Sequence, residues 1–197
     1  MGRLILVPIF HSPSEKTVRS RRAVKGAGLS ALSSEYFREL GEYLESAGQI
    51  SKVYCDSYLD FSELGEATQR RERTSFFRES EGAPANSLIL SLEKNGAEFI
   101  PTEDPSAFFD YSELASSGNP DSSLLSDALY YRDLGIIERV GRTLGEKETG
   151  VLLIGAIHKI RAPLTDKFPG ISIVKLPFSR EYVRKSAEYT GFLPEGY

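Results

Sequence analysis

Strands alternating with helical stretches predict an α/β fold, a mainly parallel sheet with helices on both faces. Two observations carry that expectation. The runs at residues 4–10 and 151–157 are apolar almost throughout, as strands covered on both faces are. Between and beyond them, apolar residues recur at helical spacing. No internal repeat or low-complexity segment interrupts the pattern, so residues 1–197 read as one α/β domain.

Leu4-Ile5-Leu6-Val7-Pro8-Ile9-Phe10 is the first strand, and at Pro8 either its pairing is broken on one side or the strand frays early. Residues 12–30 are polar, basic and glycine-containing, which suits a long loop or a short irregular helix. A helix is expected from about Ser33, with Tyr36, Phe37, Leu40, Tyr43, Leu44 and Ala47 on one stripe and Gly48 closing it. Lys52-Val53-Tyr54-Cys55 is a short strand ending at Asp56. Residues 63–81 form a charged helix, and another opens at Pro84 and stops at Asn95-Gly96. A third strand, Ala97-Glu98-Phe99-Ile100, is ended by Pro101-Thr102-Glu103-Asp104-Pro105. After a turn-rich break at 116–121, a long helix spans about 123–144 with Ile136, Ile137 and Val140 on its buried stripe. Val151-Leu152-Leu153-Ile154-Gly155-Ala156-Ile157 leads to His158, and Ile171-Ser172-Ile173-Val174 is a fifth strand. The tail from Ser179 holds one short helix.

Composition bounds the function. The net charge is -4, from 24 basic and 28 acidic side chains, which argues against a constitutive nucleic-acid binder. Cys55 is the single cysteine, so no intrachain disulfide framework exists. The apolar stretch at residues 4–10 is short for a signal segment and no small-x-small site follows it. No run approaches a membrane span. A cytoplasmic location is the expectation.

In a parallel α/β sheet all carboxyl ends of strands share one edge, where ligands bind. Four strands would deliver polar groups to that rim: His11 from the first, Asp56 from the second, Glu103 and Asp104 from the third, His158 from the fourth. The chain has only two histidines, and both follow its most apolar strands. Such a set suits a divalent metal held by His11 and His158, or an acid–base pair without metal. Asp56 and Asp104 are equally readable as helix caps. Arg132-Asp133 taken alone is a solvated helical pair.

The C-terminal half carries a further pattern. Tyr131-Arg132-Asp133-Leu134-Gly135 on a helix precedes the strand that ends in Gly155-Ala156-Ile157-His158. This resembles the TraB/Tiki/ChaN/erythromycin-esterase-like superfamily, in which an Arg-Asp or Arg-Asn helix precedes a strand ending in Gly-x-x-His. The superfamily also opens with a Gly-x-x-His strand end, to which Pro8-Ile9-Phe10-His11 corresponds, with Pro8 in place of the glycine. Tyr131 stands where the superfamily carries a glutamate. The resemblance implies a ChaN-like sheet and a site of His11, Arg132 and His158, with Glu103 or Asp56 as the acid. Members include metal-dependent peptidases, hydrolases of small esters and a haem-binding branch. In a hydrolase the acid would activate water, directly or on a metal, and Arg132 would steady developing negative charge.

The basic cluster of Lys16, Arg19, Arg21, Arg22 and Lys25 follows His11 and is either a solvated loop or a flap that draws in an anion through Arg21 and Arg22. Cys55 reads as a buried structural thiol. Phe76 and Phe77 are candidates for a homodimer contact. Three functions are therefore carried forward. The first is a hydrolase of small-molecule or peptide-like substrates, with a divalent metal as candidate cofactor. The second is a module that binds haem or another anion without turnover. The third is a phosphate-ester or nucleotide-processing enzyme.

Overall fold

The computed structural model describes residues 1–9, 22–61, 65–79, 83–117 and 121–190. Five strands alternate with seven helices among them: β1 (Gly2–Ile9), α1 (Arg22–Ser46), β2 (Lys52–Leu59), α2 (Glu66–Glu79), α3 (Pro84–Lys94), β3 (Glu98–Glu103), α4 (Pro105–Ser116), α5 (Ser122–Thr143), β4 (Thr149–Gly155), α6 (Arg161–Lys167), β5 (Ile171–Lys175) and α7 (Ser179–Thr190). The strands form one sheet in the order β3-β2-β4-β1-β5, and every neighbouring pair is parallel. The expected α/β class and parallel sheet are therefore present. None of the described helices is long and apolar enough to cross a membrane.

Alternation along the central strands sorts side chains between two cores, as a period of two requires. Ile5, Val7, Ile9, Val53, Cys55, Val151 and Leu153 face the layer of α1, α3 and α7. Leu4, Tyr54, Leu152 and Ile154 face α5 and α6, where Ile136, Ile137, Val140 and Leu164 meet them. Each such fully buried aliphatic contributes about 1.5–3 kcal/mol relative to an exposed one, so the apolar runs are what place β1 and β4 at the centre.

The prolines fit their positions for a physical reason. Arg3 donates to Glu148 and Ile9 accepts from Ala156, so these residues turn their backbone toward β4. By alternation Pro8 turns its nitrogen toward β5, whose last pairing with β1 is Lys175 with Leu6. The missing donor thus falls beyond the end of β5. Pro101 lies in β3, an edge strand that has only β2 as a neighbour.

Several boundaries differ from the sequence expectation. α1 starts at Arg22 rather than near Ser33, because a helix anchored by the packed residues Tyr36, Phe37 and Leu40 gains one further bond for each residue added. β2 continues to Leu59, so Asp56 lies inside the strand rather than after it. The segment 101–105 was expected to end β3, yet the strand includes Pro101 to Glu103 and Pro105 then opens α4. Gly48 follows α1 with φ of 91°, the left-handed conformation that a glycine terminator supplies.

One close approach tests the α5–α6 layer. A Cβ on Gly141 of α5 would sit 2.2 Å from the Phe168 ring. Gly141→Ala should cost about 1–3 kcal/mol in urea denaturation despite alanine's better helix propensity. In a Phe168→Ala background the same change should become neutral or stabilising, and a double-mutant cycle reads the difference.

Candidate functional site

The site grows from three elements that meet at the carboxyl edge of the sheet. Asp56 is on the face of β2 that looks toward α5, two residues after Tyr54, and is 2% exposed. Gly155, the last residue of β4, donates its backbone N–H to Asp56 Oδ2 at 2.7 Å. The chain turns there, with His158 N bonded to Gly155 O at 3.1 Å, and the turn brings the imidazole back over the strand end. His158 Nε2 then lies 3.6 Å from Asp56 Oδ2.

The other ring nitrogen is taken by α5. His158 Nδ1 hydrogen-bonds Asp133 Oδ1, while Asp133 Oδ2 accepts the backbone N–H of Lys159 at 3.0 Å. Asp133 therefore fixes both the ring and the turn that carries it. The His158 side chain is 2% exposed. Burial alone would lower its pKa, but the hydrogen bonds and charges of Asp133 and Asp56 outweigh that and hold it at about 9, against an ordinary 6.5. At neutral pH the ring is an imidazolium with a carboxylate on either side.

Arg132, next to Asp133 on α5, makes the second half of the site. It pairs through two nitrogens with Glu103 at the end of β3, with Nε 2.7 Å from Oε2 and Nη2 bonded to Oε1. Both side chains are buried. Phe108 and Tyr111 of α4 stack on the guanidinium, with ring centroids 5.1 and 4.7 Å from Cζ. The charge of Asp56 also acts on Arg132. Thr102 ties the neighbouring strand in place by donating to the Cys55 carbonyl. Negative and positive groups thus alternate in a buried line: Glu103, Arg132, Asp56, His158, Asp133.

A cavity of about 510 Å³ opens at this edge. Asp56, Ile9 and Cys55 reach its wall from the sheet, and Tyr58, Phe61, Phe76, Phe108 and Phe109 supply an aromatic lining. Its volume is in the range of small-molecule sites. Asp56 and Glu72 are the charged residues among its described lining. Cys55 also lines it, but burial followed by the charges of Asp56 and Glu103 pushes the thiol well up, which leaves a poor nucleophile.

Of the residues singled out in the sequence, Asp56, Glu103, Arg132 and His158 are brought together. Asp104 is not in the cluster: it caps α4, accepting the Ala107 N–H at 3.0 Å, and is exposed. His11 and Arg21 lie outside the described residues, and Arg22 is the first residue of α1. Asp133 was not singled out as a site residue, and the solvated-pair reading of Arg132-Asp133 does not hold, since they are 5% and 7% exposed. The signal was present: 133, 136, 137 and 140 form one helical stripe. Among the described residues no group of three His, Cys, Asp or Glu is arranged to hold a metal ion. Both nitrogens of His158 face carboxylates, which does not fit an imidazole donating a lone pair to a metal.

No protein family, curated protein or solved structure matches this chain.

Two outcomes follow from the buried charges. Glu103→Leu should destabilise the fold by about 3–5 kcal/mol, because it strands the Arg132 charge, whereas Glu103→Leu with Arg132→Met should cost clearly less. The raised pKa of His158 makes its contribution complete below about pH 6.5 and removes it as pH rises through about 9. That contribution is on the order of 3 kcal/mol, and Asp133→Asn should flatten the pH dependence of chemical denaturation between pH 7 and 10.

Proposed function

We propose that the chain is a hydrolase of small or peptide-like substrates acting at the carboxyl edge of the sheet. The observation that supports this best is Asp56, buried in the relay yet forming part of the wall of the cavity. It is the group a bound molecule meets. Gly155 N–H and the His158 imidazolium both present donors to its Oδ2, so the carboxylate is fixed in place with its acceptor role defined.

The chemistry proposed is general-base hydrolysis. Asp56 takes a proton from a water that attacks an ester or amide carbonyl seated against the aromatic wall, and returns it to the alcohol or amine that leaves as the C–O or C–N bond breaks. His158 acts through Asp56 as a positioning residue, and Asp133 holds the ring as the third member of the relay. Arg132, adjacent in charge to Asp56, offsets negative charge that develops at this edge. No step is routed through a metal, since the described residues do not fit one. His11 follows β1 by two positions, and its part in the two-histidine form of this reading is open to direct test.

The readings based on an anionic ligand are less well supported. Haem carboxylates or a phosphate ester would meet Asp56 and Glu72, both acidic, among the described lining.

Assay of the purified protein against a panel of aryl esters and aminoacyl anilides is the direct test. Asp56→Asn should lower kcat/KM by about 10²–10⁴-fold with the circular dichroism spectrum unchanged. Wild-type activity should fall as pH passes about 9, and His158→Gln should lose that alkaline limb. His11→Ala should also lower turnover if the two-histidine form holds. Wild-type rates in Asp56→Asn would sink the reading, and abolition of turnover by chelation would overturn its metal-free form.

A further inference from the structure

Acidic and basic residues are unevenly spread along the chain. No lysine or arginine stands between Lys94 and Arg132, a stretch that includes Asp104, Asp110, Glu113, Asp121 and Asp127. The fold gathers most of these on one surface. α4 packs on α5, and a groove of about 710 Å³ lies along the pair. Asp104, Asp110, Glu113 and Asp127 line it, all four are exposed, and no basic side chain is among its described lining. Among the described residues none of the four shares an ion pair with a lysine or arginine.

A second observation is independent of charge. Ala107, Leu114, Ala128 and Tyr131 form the apolar part of the groove. Tyr131 is 64% exposed, and Leu124, on the same helical stripe as Ala128 and Tyr131, is 52% exposed. α4 buries no residue, and α5 buries none before Arg132. At this end the two helices therefore present an apolar stripe to solvent, bordered by charges of one sign. Such a stripe marks an interaction surface.

Charge decides the occupant. A second copy in a two-fold contact would bring the same carboxylates together, where like charges repel. Nucleic acid and anionic lipid are repelled for the same reason. A groove along two packed helices accepts a third, and α4 is 12 residues long, about 18 Å, which three turns of helix match. We infer that the α4–α5 groove docks a basic amphipathic helix of a partner protein. Its apolar stripe meets Leu114, Ala128 and Tyr131, and its arginines or lysines meet Asp110, Glu113 and Asp127. Arginine also stacks on an exposed tyrosine ring. The groove shares no lining residue with the cavity at Asp56, so this inference does not rest on the proposed hydrolysis.

Fluorescence anisotropy of a labelled synthetic helix of about 14 residues, with leucine on one stripe and arginine beside it, tests this on the full chain. It should bind about tenfold or more tightly than matched peptides with glutamate for arginine or serine for leucine. Asp110→Lys with Glu113→Lys should weaken binding at least about tenfold, and Tyr131→Ser several-fold. Glu42→Lys with Glu45→Lys, the same charge change at exposed positions of α1, should alter it less than about twofold. Equal losses in the two double variants would reduce the effect to net charge and overturn the inference. Absent binding, or equal binding of either control peptide, would do the same. A dimer in sedimentation that Asp110→Lys with Glu113→Lys dissolves would put a second copy in the groove instead. A tenfold gain in peptide affinity when Arg19, Arg21 and Arg22 are replaced by serine would put the chain's own basic segment there. Either result overturns the inferred partner.

Discussion

Five ionisable side chains from β2, β3, α5 and the turn after β4 are buried in one line, and their signs alternate from Glu103 to Asp133. Each charge in such a line is tolerable only because its neighbours are opposite, for an isolated buried ion costs several kcal/mol. The line therefore couples elements that are far apart in sequence. It fixes the height of α5 over the sheet through two adjacent residues, Arg132 gripping β3 and Asp133 gripping the β4 turn. A one-residue slip of α5 would break both grips at once. Hydrophobic packing by Ile136, Ile137 and Val140 supplies most of the adhesion, but aliphatic contacts tolerate small shifts that ion pairs do not. Adhesion and register thus come from different parts of the same helix.

The same arrangement limits what His158 does. A free imidazole changes charge near neutrality, whereas this one is held protonated by two carboxylates to about pH 9. Its contribution is a fixed charge and a fixed donor. Asp56, by contrast, touches both the relay and the cavity. The division is familiar from catalytic relays, where the group that meets the substrate is backed by one that orients it and a third that orients the second.

The central strands were readable because double burial leaves an unambiguous mark: β1 and β4 are apolar on both faces, and their order on the chain gave the parallel sheet. Helices with a long stripe, such as α5, were readable for the same reason. α6 is only seven residues long, too short to show a period, and α4 buries no residue fully, so neither announces itself by pattern. Asp133 was passed over because sequence weighs an Arg-Asp pair as surface, and only the third dimension shows that both face inward. The strand-end rule found Asp56, Glu103 and His158 because topology alone sends them to one edge. It also pointed to Asp104, where a capping role is what the backbone asks for. The cavity's aromatic wall was not visible at all, since α2, β2 and α4 contribute to it from separated segments.

The strand order has a consequence for how the chain comes together. β4 sits between β1 and β2, which have no native contact along their edges without it. During synthesis the facing edges of the first two strands must wait until β4, which ends at Gly155, has been made. Long-range pairing of this kind is slow and exposes apolar strands to wrong partners in the interval. His158 emerges three residues later. The insertion that completes the sheet and the arrival of the residue that completes the charge line are thus almost one event in time.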